Sequence, residues 1–236
     1  MSAQNGMPMP SPSRRERRTQ WMECTSRLGS CATLDGLAPK LVDAAVEVLS
    51  ASGAVLYLAE PGGGLRAAAA VGTGCPAPTL TDDDHAPFAP VLLGHAPVVL
   101  ENGSAAAWCW LTEARVFTEG SAIVPLRWRH EPIGALVLGE PREGSYSRDD
   151  LELMGALGQD MAGLIVAVQL HDLKSSIAAL SALSESALKS FDDRALQRNS
   201  LNTVAQIVNR MKAMLGSLQG SAGTAWSMRV PFGERT

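Results

Sequence analysis

The chain has 236 residues, of which 46% are hydrophobic and 19% are charged. These values are typical of a globular protein with one or two domains and exclude a disordered, collagen-like or disulfide-scaffold chain. The 20 Lys and Arg residues are outnumbered by 24 Asp and Glu residues, giving a formal net charge of -4. The sequence therefore does not predict nucleic acid as a partner, because no general positive field would attract it.

Residues 1–18 are expected to form a disordered basic leader. The first 13 residues are rich in Met, Pro, Ser and Gly without hydrophobic periodicity, as in disordered segments. Positive charge is concentrated at Arg14, Arg15, Arg17 and Arg18, which surround Glu16. The first packed element is expected near Thr19.

The cysteine spacing and the lengths of the apolar runs indicate the cellular compartment in which the protein is expected. The four cysteines lack C-x-x-C spacing, and no secretory signal precedes them, so reduced thiols and a cytoplasmic location are expected. No uninterrupted apolar run reaches the roughly 20 residues of a membrane-spanning helix. The sequence therefore predicts no membrane span.

A helix followed by a β-hairpin is predicted near the N-terminus. From Leu34 to Leu49 the apolar residues recur every three or four positions, which lines one helix face. Residues 54–59 are rich in strand formers, a Pro-Gly turn follows, and residues 66–71 can return as the partner strand. Residues 73–119 give no secure assignment.

Two further strands and a long helix are predicted after residue 119. Residues 120–128 and 133–140 are apolar runs separated by a turn, typical of adjacent strands buried against helices. Ser147 and Asp150 have the spacing of a capping box, and no helix breaker follows until about Ser190. The predicted fold class is α+β, with a mixed or antiparallel sheet flanked by helices.

The long helix carries two apolar stripes in sequence order. The first consists of Leu153, Leu157, Met161, Leu164 and Val168, and the second of Val166, Leu170, Leu173 and Ile177. A two-residue displacement corresponds to about 200° around the helix. The interpretation is that the two stripes face different surfaces, unless residues 164–170 simply form one broad apolar face.

A second heptad helix predicts a dimeric hairpin. Its apolar positions are Leu201, Val204, Val208, Met211, Leu215 and Leu218, alternating in steps of three and four, as in coiled coils. After a short break at Phe191, this helix is expected to fold back on the long one. A single hairpin leaves its stripe half covered, so a homodimeric four-helix bundle is predicted.

The order of elements resembles that of a GAF domain, a small-molecule sensing fold of signalling proteins. The resemblance covers about residues 34–168. Its most specific part is a closing segment with three motifs in the order found in the family: the strand ending in Val124-Pro125-Leu126, the strand with Ile133-Gly134-Ala135-Leu136, and the aromatic-Ser capping box before Leu151. It implies a ligand cavity whose ligand is unknown. The segment that covers this cavity in GAF folds contains Phe88, Trp108, Cys109, Trp110 and Phe117, for which core packing is an equal alternative.

The segment His171-Asp172-Leu173-Lys174-Ser175-Ser176 resembles the phosphoacceptor box of sensor histidine kinases, in particular the GAF-containing kinases associated with PEP-CTERM sorting. This resemblance implies that His171 accepts phosphate, that Asp172 orients or deprotonates it, and that Ser175 holds the position used for phosphatase activity. Members of this kinase family usually have Asn or Thr at that position, so Ser175 departs from the pattern that phosphatase activity uses. Independently of the resemblance, the helical spacing directs His171 away from Leu173 and Leu180 and toward solvent. An accessible imidazole can act as a nucleophile. The alternative is that His171 is an ordinary solvated histidine without a chemical role.

No cofactor or metal site is predicted within the chain. Asp82, Asp83, Asp84 and His85 are consecutive in a loop and are interpreted as a solvated acidic turn. Only residues 219–236 follow the predicted hairpin, too few for an ATP-binding domain. ATP and Mg²⁺ are therefore expected only on a separate histidine kinase catalytic domain, and whether the chain itself is an enzyme is left open.

Two hypotheses follow for the function. In the first, the chain is a two-component signalling protein with a response regulator as a further partner. Residues 19–168 form its GAF-like sensor, residues 169–218 its His-containing dimerisation hairpin, and residues 219–236 a flexible tail. In the second, the chain is a non-enzymatic GAF dimerisation, adaptor or small-molecule-binding module, and His171 does no chemistry.

Overall fold

The computed structural model describes residues 13–60, 64–72, 79–80, 91, 94–100, 120–189, 202–212 and 215. Three helices pack together on one face of an antiparallel sheet, and a fourth lies beside the far part of the longest one. The helices are α1 (Arg14–Leu28), α2 (Leu34–Leu49), α3 (Arg148–Lys189) and α4 (residues 202–212). The strands are β1 (Ala54–Ala59), β2 (Leu65–Val71), β3 (Thr79–Leu80), β4 (Val98–Val99), β5 (Ala122–Trp128) and β6 (Glu131–Leu138).

The sheet has six strands in the order β3-β2-β1-β6-β5-β4, and every described pair is antiparallel. The α+β class is confirmed, and of the two sheet types allowed by the sequence the antiparallel one is correct. The predicted helix at Leu34 to Leu49 and the four predicted strands are confirmed with shifts of at most two residues at an end. Two-residue strands β3 and β4 lie in the stretch that the sequence left unassigned.

Helix α1 begins at Arg14, so the expected leader boundary at residue 18 is wrong. The physical reason is a capping box. The Ser13 backbone N–H donates to Glu16 Oε2 at 2.7 Å, and the Glu16 backbone N–H donates to Ser13 Oγ at 3.3 Å. These two bonds satisfy groups that would otherwise be unpaired in the first turn. The arginine cluster is therefore helical, while residues 1–12 lie outside the described part of the chain.

The hydrophobic core lies between the three packed helices and one face of the sheet. It contains Trp21 of α1, the predicted apolar face of α2, and alternate residues of the central strands. Helix α3 approaches β5 closely at Gly158, where an added Cβ would lie 2.8 Å from the Pro125 carbonyl oxygen and 2.9 Å from Val124 Cγ1. Only glycine permits this spacing, so the helix is seated directly on the strand.

The apolar faces of α3 differ from the two opposed stripes expected. Four of the five residues in the first stripe are buried, and Leu164 is half-buried. Val166, assigned to the second stripe, is also buried in the core. Between residues 161 and 168 the buried positions are Met161, Ala162, Ile165, Val166 and Val168. They cover about 160° of the helix circumference, so the broad-face alternative is correct for this stretch.

Helix α4 lies beside the second half of α3. Arg210 Nη2 donates to Asp172 Oδ2 at 3.2 Å, which joins residues 38 positions apart. The predicted turn of the hairpin lies at residues 190–201, outside the described residues. Past residue 168, α3 exposes Leu170 and Ile177, which are 43% and 48% accessible.

In the described part of the chain, one helix is long and apolar enough to cross a membrane. This stretch, Arg148–Glu185, has a mean hydropathy of 1.4 in its most apolar 18 residues, half of which are buried in the fold. A core helix of a soluble protein meets the same criterion, so the finding is weak evidence for a span. The absence of a membrane span stays a prediction.

Candidate functional site

On the three central strands, β1, β6 and β5, the sheet face opposite the helices is also buried. Ala54, Leu56 and Leu58 of β1 belong to the helix-side core, whereas Val55 and Tyr57 are buried without being part of it. Successive strand residues point to opposite faces. The same alternation in β5 and β6 assigns further buried residues to the second face, namely Ile123, Ala135 and Val137. This face is the candidate floor of a ligand cavity.

Tyr57 supplies a polar group among these buried apolar side chains. Its side chain is 1% accessible, and burial raises the pKa of its hydroxyl to about 12. Tyr57 is therefore neutral at physiological pH and can both donate and accept a hydrogen bond. Tyr57 was not among the residues predicted from the sequence. The signal that could have identified it is its position in an apolar strand, on the opposite face from Leu56 and Leu58.

The residues predicted to line the ligand pocket lie outside the described part of the chain. They are Phe88, Trp108, Cys109, Trp110 and Phe117. The acidic turn at residues 82–85 lies outside it as well. Their contribution to a pocket stays a prediction, and the structure contributes the sheet floor beneath it.

A polar junction joins α1 to the start of α3. Asp150 accepts hydrogen bonds from the backbone N–H and the Oγ of Ser147, both at 2.7 Å, and forms an ion pair with Arg17. Burial alone would raise the pKa of Asp150, but the Ser147 hydrogen bonds and the Arg17 charge outweigh it and hold the pKa below its usual value. The predicted capping box is thus confirmed, and it doubles as an attachment point for α1.

Two more contacts reinforce this attachment. Arg14 pairs with Glu152 at 2.6 Å, and Trp21 Nε1 donates to Asp160 Oδ2 at 3.0 Å. Trp21 is 1% accessible, so its indole N–H needs such a partner. The arginine cluster at the N-terminus therefore has an intramolecular role, because Arg14 and Arg17 are paired with carboxylates in the first two turns of α3.

His171 lies on α3 three residues after Val168, the last residue of the helix that is buried against the sheet and helices. Its side chain is exposed, as the helical spacing predicts. Asp172 is half-buried and is held by Arg210, a contact that sequence reasoning missed. Ser175 is exposed, whereas Ser176 is buried and its Oγ donates to the Asp172 carbonyl oxygen at 2.8 Å. The structure brings these residues together on one stretch of α3 beside α4, while their chemical roles stay predictions.

Comparison with protein families matches the GAF domain over residues 31–166, more than half of the chain. The chain belongs to the GAF domain family. The match begins between α1 and α2 and ends inside α3, so both α1 and the His171 stretch lie beyond the matched GAF domain. Among curated proteins the comparison finds no match.

Solved GAF structures share the fold at low sequence identity. The GAF domain of a phosphoenolpyruvate-protein phosphotransferase from Coxiella burnetii gives a TM-score of 0.56 at 14% identity, covering 67% of this chain and 98% of that chain. The phycoerythrobilin-bound GAF domain of a cyanobacterial phytochrome gives a TM-score of 0.54 at 17% identity, and the match covers 68% of this chain and 98% of that chain. A bacteriophytochrome from R. palustris gives 0.59 at 11%, with 88% of this chain and 47% of that chain covered. At these identities the comparisons establish the GAF fold alone.

Proposed function

We propose that this chain is a two-component signalling protein in which a GAF sensor controls a phosphoacceptor histidine, His171, on a dimeric helical hairpin. GAF domains occur in sensor kinases and other signalling proteins. The cavity over Tyr57 receives a small molecule, and α3 carries the response to His171. A separate histidine kinase catalytic domain supplies ATP and Mg²⁺, and a response regulator receives the phosphoryl group.

The observation that carries this proposal is the continuity of α3. One uninterrupted helix of 42 residues starts at the polar junction with α1, packs on β5, and extends past His171 to Lys189. Movement of the helix at the sheet is therefore transmitted to the histidine without an intervening loop. A rise of about 1.5 Å per residue makes this helix about 60 Å long.

The chemistry assigned to His171 requires an accessible neutral imidazole. The imidazole nitrogen attacks the γ-phosphorus of ATP, ADP leaves with the bridging oxygen, and a phosphoimidazole remains. The exposed position of His171 allows an ATP-bearing domain to approach it. Asp172, adjacent in sequence, orients the imidazole or accepts its proton.

Dimerisation is the second part of the proposal. Leu170 and Ile177 are exposed on α3, and Val204, Ile207, Val208 and Met211 are only half-buried on α4. A second copy of the hairpin would cover these side chains and complete a four-helix bundle. Ligand-dependent changes would then alter how the helices pack across the dimer.

The test is phosphotransfer to the purified chain from an added histidine kinase catalytic domain with labelled ATP. We expect acid-labile phosphate on the chain and none without the added domain. His171→Gln should remove the label, whereas His130→Gln, which removes another exposed histidine, should retain it. Labelling that survives His171→Gln, or no labelling by any of a panel of catalytic domains, would contradict the proposed role.

The second candidate is a GAF dimerisation or adaptor module without phosphotransfer. The exposed apolar side chains of α3 favour it equally, because they require a partner whether or not His171 reacts. The same assay separates the two candidates. A dimer that is never labelled at His171 would support the module.

A further inference from the structure

A cavity lies beside the last residues of β5. Its volume is about 270 Å³, and it lies between the turn that joins β5 to β6, the loop before β4, and helix α3. The residues used in the argument are His95, Arg127, Trp128, Arg129, Gly155 and Gln159. Glycine at position 155 keeps the helix side open, since an added Cβ would have only Pro97 ring carbons nearby, at 3.7 Å or more.

Arg127 fixes the walls of this cavity. Its Nη1 donates to the Gly94 carbonyl oxygen at 3.4 Å, and its Nη2 donates to the His130 carbonyl oxygen. One guanidinium therefore joins the loop before β4 to the β5–β6 turn. The cavity walls are held by a side chain with a planar, rigid set of donors, so the cleft is preformed.

The guanidinium of Arg129 gives the lining a positive charge without a negative counterpart among the described lining residues. Arg129 and His95 are both exposed, and the described lining contains no Asp or Glu. Within the described residues Arg129 forms no ion pair. An oxyanion entering the cleft would meet Arg129, which presents donors matched to carboxylate and phosphate oxygens.

The backbone at Arg129 indicates that the turn is not optimised for folding alone. Its φ is +60°, in the left-handed region that favours glycine. A non-glycine residue there is strained, and such strain is concentrated at functional sites. Glycine would form the same turn more easily, so the arginine side chain itself requires an explanation.

Trp128 adds an aromatic surface at the rim. Its side chain is 40% accessible, although a tryptophan of this size is usually well buried. It lies against α3 near Gly163, where an added Cβ would be 3.7 Å from its ring carbon Cζ3. A flat ring could stack on this indole, and an attached oxyanion could then reach Arg129.

We propose that this cleft binds a small aromatic anion, a ring carrying a phosphate or carboxylate group, with Arg129 and His95 binding the charge and Trp128 the ring. This proposal depends neither on a ligand over Tyr57 nor on the phosphotransfer role of His171. Because its floor is α3, occupancy would act on the helix that leaves the domain.

The test is calorimetric titration of the full chain with phenyl phosphate, benzoate, inorganic phosphate and the neutral benzyl alcohol. Phenyl phosphate or benzoate should bind, and whichever binds more tightly identifies the anionic group. Inorganic phosphate and benzyl alcohol should bind at least about tenfold more weakly, since each lacks one of the two contacts.

Arg129→Gly is the decisive variant, because it removes the charge while relieving the backbone strain. We expect about tenfold or greater loss of affinity with a melting temperature that does not fall. Trp128→Ala should weaken phenyl phosphate and leave inorganic phosphate unchanged. The matched control Arg27→Ala, on the exposed end of α1, should bind as the unmodified chain does. No binding of either aromatic anion, or undiminished binding in Arg129→Gly, would overturn the proposal.

Discussion

Asp150 shows how one side chain can serve two elements at once. It caps the first turn of α3 through Ser147 and holds α1 through Arg17. Both contacts need the ionised carboxylate, which is why its pKa is held below the usual value despite burial. The start of α3 is therefore fastened electrostatically as well as by the apolar core.

Asp150→Asn should destabilise the fold by about 1–2 kcal/mol near neutral pH, because it removes the ion pair and weakens the cap. The folded-state pKa of Asp150 is lowered, so its contribution is present above the unfolded-state pKa of about 4 and is lost as the pH falls through the folded-state value. The difference between variant and unmodified chain should therefore shrink in acid. Urea unfolding near neutral pH and near pH 3 measures it.

The adjacent exposed Asp149 gives the matched control for this prediction. Asp149→Asn removes the same charge from the same helical turn without touching Ser147 or Arg17. It should change the free energy of unfolding by less than about 0.5 kcal/mol. Equal effects of the two substitutions would show that the polar junction contributes nothing specific.

At the residue scale, hydrogen bonds between residues close in sequence were easier to predict than hydrogen bonds between residues far apart in sequence. The Ser147 and Asp150 capping box was recognised because its residues are three positions apart. Ser13 and Glu16 have the same spacing, and the signal was overlooked because four arginines surround it. The pairing of Trp21 with Asp160 spans 139 positions, and no local pattern indicates which carboxylate a buried indole will meet.

At the scale of elements, the seating of α3 on β5 depends on glycine. Gly158→Ala should destabilise the fold by about 2 kcal/mol, since the new Cβ would collide with the Pro125 carbonyl oxygen and Val124. Gly155→Ala, one turn earlier, meets only Pro97 at 3.7 Å and should stabilise the fold by about 0.5–1 kcal/mol through helix propensity. Thermal unfolding of both variants would show opposite signs, and a neutral Gly158→Ala would contradict this packing.

The elements with a clear period were predicted closely, as the bounds of α2 show. The first packed element was expected near Thr19, but α1 already begins at Arg14. Its helical character gave little signal in the sequence, because its residues are mostly polar and only Trp21 and Leu28 are buried. For α3, spacing alone produced two stripes, and Val166 was assigned to the wrong one. The burial of Val166 depends on the width of the surface against which the helix packs. The spacing of apolar residues along one helix does not reveal that width.

At the scale of the whole molecule, the compact GAF domain contrasts with the exposed apolar surface beyond it. Past residue 168, the only buried residue of α3 through Glu185 is Ser176, while Leu170 and Ile177 are among the most exposed large apolar side chains described. This distribution is expected for a helix that has a partner in solution. The exposure of His171 was predictable from the helical spacing, and its role stays a prediction. The buried position of Tyr57 was not predictable, because it depends on how the strands pair in the sheet.

The protein should have the mass of two chains by light scattering. Val208→Glu together with Met211→Glu should yield monomers, because both side chains are half-buried on α4 and would place charges in the interface. Gln206→Glu with Asn209→Glu, which adds the same charge at exposed positions of the same helix, should leave the dimer intact. A single-chain mass for the unmodified protein would contradict the bundle.

The central claim is that α3 connects the GAF domain to His171 as one rigid helix, and insertions after Ala167 test it most directly. One added alanine rotates the downstream helix by about 100°, whereas seven added residues return it to within about 20° of its original orientation. The measurement is the rate of labelling of His171 by an added kinase catalytic domain. We predict a changed rate with one residue and a restored rate with seven, both proteins remaining helical and folded. An unchanged rate in the one-residue insertion would contradict the account.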